Sequence, residues 1–317
     1  MNNNSSVVCF GELLIDMIST TVGDLQNSEG FLKKFGGAPA NTAAGLAKLG
    51  FTVSFMGKVG NDPFGNFLKA TLNEVGVKTD KLLMSNLDKT TLAFVSLGPK
   101  GERDFTFYKG AHENIDPSEV SLPEDTFLFH FGSLTQIHDS AKAATDTLLK
   151  QAREKQCVIT YDPNIREPLW LDLGKARSII LETSRLVDVL KLNEEEAFML
   201  SDTSTIEDAS KKLFFDNLDA LFITMGAQGS YYKTKKQEGY MQTIKVTPVD
   251  TTGAGDAFNA GYISSFVETK TLFSKMSDRD FVQVMKRANV IAALTTAKKG
   301  AITAFPTKED IKKGLTQ

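Results

Sequence analysis

The chain is poor in the residues that build metal and redox centres. Two cysteines and three histidines are spread over 317 residues, and no Cys/His group has zinc-ligand spacing. Cys9 and Cys157 lie in apolar runs, Val7–Phe10 and Cys157–Tyr161. They read as buried free thiols of a reducing compartment. His130 sits within Phe127–Phe131 and reads as a hydrogen-bonded strand residue. No apolar run approaches the ~20 residues of a membrane span, and the polar start Met1–Ser6 is unlike a signal peptide. Neither sign of charge dominates: 36 Lys and Arg against 39 Asp and Glu leave a net charge of −3. That balance gives no reason to expect a nucleic-acid or membrane partner, and a cytoplasmic location is expected. The Gly-x4-Gly-Lys-Ser/Thr loop of P-loop nucleotide binders is missing, as is the protein-kinase set of loops.

What is present is concentrated in Asp250-Thr251-Thr252-Gly253-Ala254-Gly255-Asp256-Ala257-Phe258. Upstream, Gln242–Val249 alternates like a strand; downstream, Ala257–Val267 has helical spacing. Small residues at a helix start let the backbone approach an anion, and the free N–H groups there suit a phosphate. Asp256 in the same turn can accept a proton from an alcohol. The plainer alternative is an acidic residue favoured in a first turn, but that does not account for Gly253-Ala254-Gly255. Base and cradle together point to phosphoryl transfer to a hydroxyl. A second run, Gly36-Gly37-Ala38-Pro39-Ala40-Asn41, opens an Ala-rich helix that ends at Gly50. Its paired glycines permit close approach to a small polar ligand, and Asn41 offers the donor and acceptor that a sugar diol needs.

The rest of the chain reads as α/β. Strands are expected at Val7–Ile18, Thr52–Lys58, Phe127–Phe131, Val158–Tyr161, Val187–Leu192 and Ala220–Met225, the later ones alternating with helices. Thr91–Leu97 and Asp104–Tyr108 read as a hairpin. Polar groups gather at predicted strand ends: Asp162-Pro163-Asn164, Asn193, Thr224-Met225-Gly226 and Asp250. Carboxyl ends of parallel strands are where such sheets bind ligands.

The Gly36–Asn41 run, Gly57-Lys58-Val59-Gly60 and the Asp250–Phe258 run, in that order, resemble the two signatures of the ribokinase-like (PfkB) sugar kinases. Within that family, Cys9–Asp16, Gly101–Tyr108 and Asp162–Trp170 are similar to the fructokinases. The resemblance implies a doubly wound, mostly parallel sheet flanked by helices over residues 1–317, with a β-sheet lid from about 16–35 and 90–111. It implies ATP-dependent phosphorylation of fructose at its 6-hydroxyl; 2-keto-3-deoxygluconate kinases share much of the pattern. A non-catalytic sugar sensor on the same fold would be expected to lose the base or the cradle, and both are present.

Residue by residue, the resemblance makes Asp256 the base and Gly253, Ala254 and Gly255 the anion hole. Arg166 would hold sugar or phosphate oxygens. Asp16, Gly36, Gly37 and Asn41 would bind the sugar, with Arg103 and Phe105 reaching in from the lid. Asn193, Thr224, Gly226, Gly229, Gly255 and Asn289 would line the nucleotide. Glu196 would hold Mg²⁺ through water, although Asn193 with Glu196 is also a capping-box pattern. Asp250 and Thr252, with carbonyls from an Ala293–Ala304 loop, would hold K⁺; Ala304 stands where relatives often have serine. A homodimer through the lid sheets is also implied.

Overall fold

The computed structural model describes residues 6–98 and 103–316, without the side chains of Leu97 and Arg103. The first half of the chain contains β1 (Ser6–Phe10), β2 (Leu14–Val22), β3 (Phe31–Gly36), α1 (Ala38–Lys48), β4 (Val53–Gly60), α2 (Pro63–Glu74) and β5 (Leu82–Ser85). Then come β6 (Leu92–Leu97), β7 (Arg103–Tyr108), β8 (Thr126–Phe131), α3 (Asp139–Glu154) and β9 (Val158–Tyr161). The second half contains α4 (Leu173–Ser184), β10 (Val189–Asn193), α5 (Glu194–Ser201), α6 (Ile206–Leu213), β11 (Ala220–Thr224), β12 (Ser230–Thr234) and β13 (Glu238–Met241). Three helices close the fold: α7 (Ala254–Thr269), α8 (Asp278–Thr296) and α9 (Lys308–Gly314).

Nine strands form one sheet in the order β13-β12-β11-β10-β9-β8-β1-β4-β5. From β11 to β5 every pairing is parallel; β12 and β13 are antiparallel at one edge. Successive residues of β1 point to opposite cores. Val7 and Cys9 join α1, α2, α7 and α8, whereas Val8 and Phe10 join α3, α4, α5 and α6. Burial on both faces explains why these strands are continuous apolar runs. It also makes inert thiols of Cys9 and Cys157, whose pKa values burial pushes up. His130 donates to or accepts from Thr160 through Nδ1 at 2.9 Å inside the sheet, and burial pulls its pKa down to about 4.

A second sheet of four strands, β3-β2-β6-β7, stands beside the first. Its centre is a parallel pair, with Ile15 beside Leu92 and Asp16 beside Ala93. The predicted hairpin is present as β6 against β7, and its tip, 99–102, lies outside the described residues.

Four sequence expectations need correction. Val7–Ile18 is not one strand: the chain breaks at Gly11–Leu13 because β1 and β2 belong to different sheets. Gln242–Val249 has no regular pairing; Pro248 lacks an N–H, and the segment follows α8, with Thr243 Oγ1 donating to the Asn289 carbonyl and Val249 N to that of Thr296. Asp250 therefore does not end a strand. The Ala293–Ala304 loop begins only after Thr296, where α8 stops.

Candidate active site

β9, β10 and β11 end side by side at Tyr161, Asn193 and Thr224. The cavity over these ends is about 360 Å³, walled on the other side by Leu14, Asp16, Phe105 and Phe107 of the small sheet. Helix α7 enters it at its N-terminus. Gly253 takes φ +78°, and a Cβ there would lie 2.6 Å from that of Ala301, so glycine is required. Gly255 and Asp256 occupy the second and third helical positions, whose N–H groups have no acceptor in the preceding turn. The N–H of Ala254 donates to the Thr251 carbonyl at 3.2 Å, so it contributes less to an anion cradle than the sequence suggested.

Asp256 is 8% exposed, and its Oδ2 accepts from Asn41 Nδ2 at 2.8 Å. Burial raises its pKa to about 7; the Asn41 bond opposes this, Asp162 adds to it, and Lys191 and Arg166 oppose it. A carboxyl poised there is suited to take a proton from an alcohol near neutrality. Arg166 lines the same cavity, with Nη1 donating to Asn164 Oδ1 at 2.7 Å and its guanidinium 6.0 Å from the Phe105 ring centroid. Asn164 adopts φ +45° to make that turn.

Beneath α7 lies a buried charge cluster. Lys191 Nζ is 2.9 Å from Asp162 Oδ2, with both side chains under 10% exposed. Asn259, three residues after Asp256, donates to the same oxygen at 2.7 Å. Asp162 thus anchors both Lys191 and Asn259. Burial disfavours the charge on Lys191, but Asp162, Glu196 and Asp256 outweigh it and the pKa is raised. Lys191 also lines the cavity, and a Cβ on Gly255 would come within 2.9 Å of its Nζ. The ammonium therefore sits directly under the cradle.

The Asn193–Glu196 capping box is formed: Glu196 N donates to Asn193 Oδ1, and Asn193 N to Glu196 Oε2, each at 2.8 Å. Glu196 Oε1 accepts from Ile165 N at 2.7 Å. Burial, then Asp162, raises the Glu196 pKa. With a backbone donor on each oxygen, Glu196 suits a cation held through water better than a direct metal bond. No group of three or more His, Cys, Asp or Glu is placed to hold a metal among the described residues. Asp250 Oδ1 accepts from Thr252 N at 3.0 Å and Oδ2 from Gly300 N at 2.9 Å, tying together the two loops that the resemblance assigned to K⁺.

The structure gathers Asp16, Gly37, Asn41, Phe105, Arg166, Asn193, Thr224, Thr252, Gly253, Ala254, Gly255 and Asp256 around one cavity. Gly36 abuts Asp16, where a Cβ would meet Oδ2 at 2.6 Å. Gly226, Gly229, Glu196, Asp250 and Asn289 do not line it. Asn289 is buried, with Nδ2 donating to Ser230 Oγ at 2.8 Å and to the Met285 carbonyl at 2.9 Å. The Arg103 side chain lies outside the described residues. Sequence reasoning missed Lys191, Phe107 and Glu12, which also line the cavity. A lysine inside an otherwise apolar strand was the available signal for Lys191.

The pfkB family carbohydrate kinase pattern matches residues 4–308. A probable chloroplastic fructokinase-6 of Arabidopsis thaliana is 39% identical over 316 residues, covering 98% of this chain and 82% of its own. A fructokinase from Xylella fastidiosa, solved with bound ATP, superposes with a TM-score of 0.89 at 30% identity, covering 98% of each chain. One from Vibrio cholerae O395, solved with fructose, ADP and calcium, gives 0.89 at 28% identity, covering 99% of this chain and all of its own.

Proposed function

The chain belongs to the pfkB family of carbohydrate kinases, and from that premise we propose that it transfers the γ-phosphoryl group of ATP to the 6-hydroxyl of fructose, releasing fructose 6-phosphate and ADP. The observation that carries this reading is Asp256 at the mouth of α7, bonded to Asn41 and sharing one cavity with Asp16 and Arg166. The sugar lies between Asp16, Gly37, Asn41 and the rings of Phe105 and Phe107. Asp256 takes the proton of the attacking hydroxyl. The N–H groups of Gly255 and Asp256, with the ammonium of Lys191 and the guanidinium of Arg166, stabilise the equatorial oxygens of the transferring group.

A second cleft of about 310 Å³, lined by Thr243, Ile244, Lys245, Lys286 and Val290, adjoins Gly229, whose absent Cβ would lie 2.9 Å from Thr243 N. It takes the nucleoside, and Asn289 supports its floor from beneath. Glu196 would hold Mg²⁺ through water, and the ion would supply charge neutralisation on the phosphates. Asp250 and Thr252 would hold K⁺ with loop carbonyls. The four-stranded sheet acts as the lid over a single kinase domain. Val22, Leu32 and Tyr108 on it are exposed, and a second copy covering this sheet accounts for them. No helix of the described residues is long and apolar enough to cross a membrane, and a cytoplasmic location goes with the buried thiols.

The test is ADP release with MgATP against fructose, glucose, ribose, adenosine and 2-keto-3-deoxygluconate, with and without K⁺. Turnover chiefly on fructose is expected; turnover chiefly on another sugar rejects the substrate. The pH profile gives a second check. Because Asp256 must be unprotonated to act and its pKa is about 7, kcat/KM should be flat above that value. Below it, the rate should fall about tenfold per pH unit. A rate that is flat from pH 5 to 8 would remove Asp256 as the titrating base.

A further inference from the structure

Helix α1 begins without a local cap: Gly37 precedes it with no side chain to offer. The first N–H of the helix, on Ala38, instead donates at 2.8 Å to Oε1 of Glu12, which is 26 residues away. Glu12 is 4% exposed and lies in the three residues where the chain leaves β1 for the four-stranded sheet. Its carboxyl, whose pKa burial pushes up to about 7 against the opposing pull of the Ala38 N–H, meets the positive end of the helix, where the ionised form is favoured. Its backbone meets the same turn. Gly37 takes φ +115°, and a Cβ there would lie 2.4 Å from the Glu12 carbonyl oxygen. One turn into α1, Asn41 holds Asp256.

These contacts form an unbroken path from the root of the small sheet to the base: Glu12, the Ala38 N–H, the first turn of α1, Asn41, Asp256. Glu12 Oε2 is buried without a hydrogen-bond partner. A core carboxyl kept only for stability would be expected to satisfy both oxygens or be replaced by an apolar residue. We infer that Glu12 is a positioning residue for phosphoryl transfer, fixing the start of α1, and through Asn41 the carboxylate of Asp256, to the segment from which the four-stranded sheet springs. This inference rests on the reading of Asp256 as the base.

Three replacements separate the bond from the charge. Glu12→Gln keeps the length and an acceptor for Ala38. Glu12→Asp keeps the carboxyl but withdraws it by about one 1.5 Å bond. Glu12→Ala removes both. A misplacement of that size at a catalytic group costs up to about 100-fold. Glu12→Asp and Glu12→Ala should therefore lose about 10- to 100-fold in kcat with smaller changes in the KM for fructose, while Glu12→Gln recovers most of the rate. Equal kcat in the Asp and Gln variants would overturn the inference, as would a Gln variant as impaired as Ala. So would losses confined to KM or melting temperature. If Glu12→Ala does not fold, the Asp and Gln comparison decides alone. Asp256→Asn is assayed in parallel. Full activity there would sink the reading of the base, whereas an inactive Asp256→Asn beside a fully active Glu12→Asp would sink only the role of Glu12.

Discussion

Replacing Asp256 by asparagine is expected to lower kcat by about 10²- to 10⁴-fold, the usual contribution of a positioned general base. Fructose binding, read by calorimetry, should change little. Asparagine is isosteric and its carbonyl can still accept from Asn41, so the sugar walls stay in place while proton acceptance is lost. Stability should move the other way. Burial first, with Asp162, raises the folded-state pKa of Asp256 to about 7 from an ordinary 3.8. A carboxyl shifted upward favours the folded state below its unfolded pKa and loses that advantage as pH rises through the folded value. At pH 8 the parent carries the full cost of a buried carboxylate, and the variant does not. Asp256→Asn should melt above the parent at pH 8, with the difference shrinking toward pH 4. A variant that turns over fructose normally, or that melts lower at pH 8, would contradict the assignment.

The second large effect is expected at Lys191. Its ammonium is the counter-charge for Asp162 at 2.9 Å, and Glu196 and Asp256 also favour it. Lys191→Met leaves those carboxylates buried without it. Removing one partner of such a pair costs about 3–5 kcal/mol, measurable by urea unfolding. The acid limb of activity should also move to higher pH, because Lys191 holds the Asp256 pKa down. The double variant Lys191→Met/Asp162→Asn should regain much of the stability, since the second change removes the orphaned charge while its amide oxygen can still accept from Asn259. A Lys191→Met loss below about 1 kcal/mol, or a double variant no better than the single one, would show that the cluster is not an energetic unit.

Much of this site was legible before the fold was known because it sits in two local runs. Gly36–Asn41 and Gly253–Asp256 each place backbone and side chain within one turn, and local chemistry is what sequence shows. Lys191 and Asp162 were not legible as a pair. Asp162 follows the end of β9 and Lys191 lies on β10, 29 residues on, and they meet only because the two strands are neighbours. The break between β1 and β2 was hidden for a related reason: Val7–Ile18 is mostly apolar on both sides of Gly11 and Glu12, so the pattern records burial and not the change of sheet. Strands β12 and β13 were missed because an antiparallel edge carrying Lys233 and Glu238 lacks the apolar run of the central strands. Helix α6 is capped by Thr205 and has one apolar stripe, Ile206, Ala209 and Leu213; the charges between them masked it.

The central pair of the small sheet carries a consequence for how the molecule is assembled. Ile15 lies against Leu92, with α1, β4, α2 and β5 folded between them in sequence. Closing so long a loop is entropically costly until the intervening chain has compacted. The β2–β6 pairing is therefore expected to follow the packing of α1 and β4 onto β1, which brings its two strands together. A growing chain must deliver β6 before the wall bearing Asp16 can be completed, and α7 with Asp256 arrives later still. The candidate chamber is then a product of the whole topology, drawing its walls from β2, β7, β10 and α7 together.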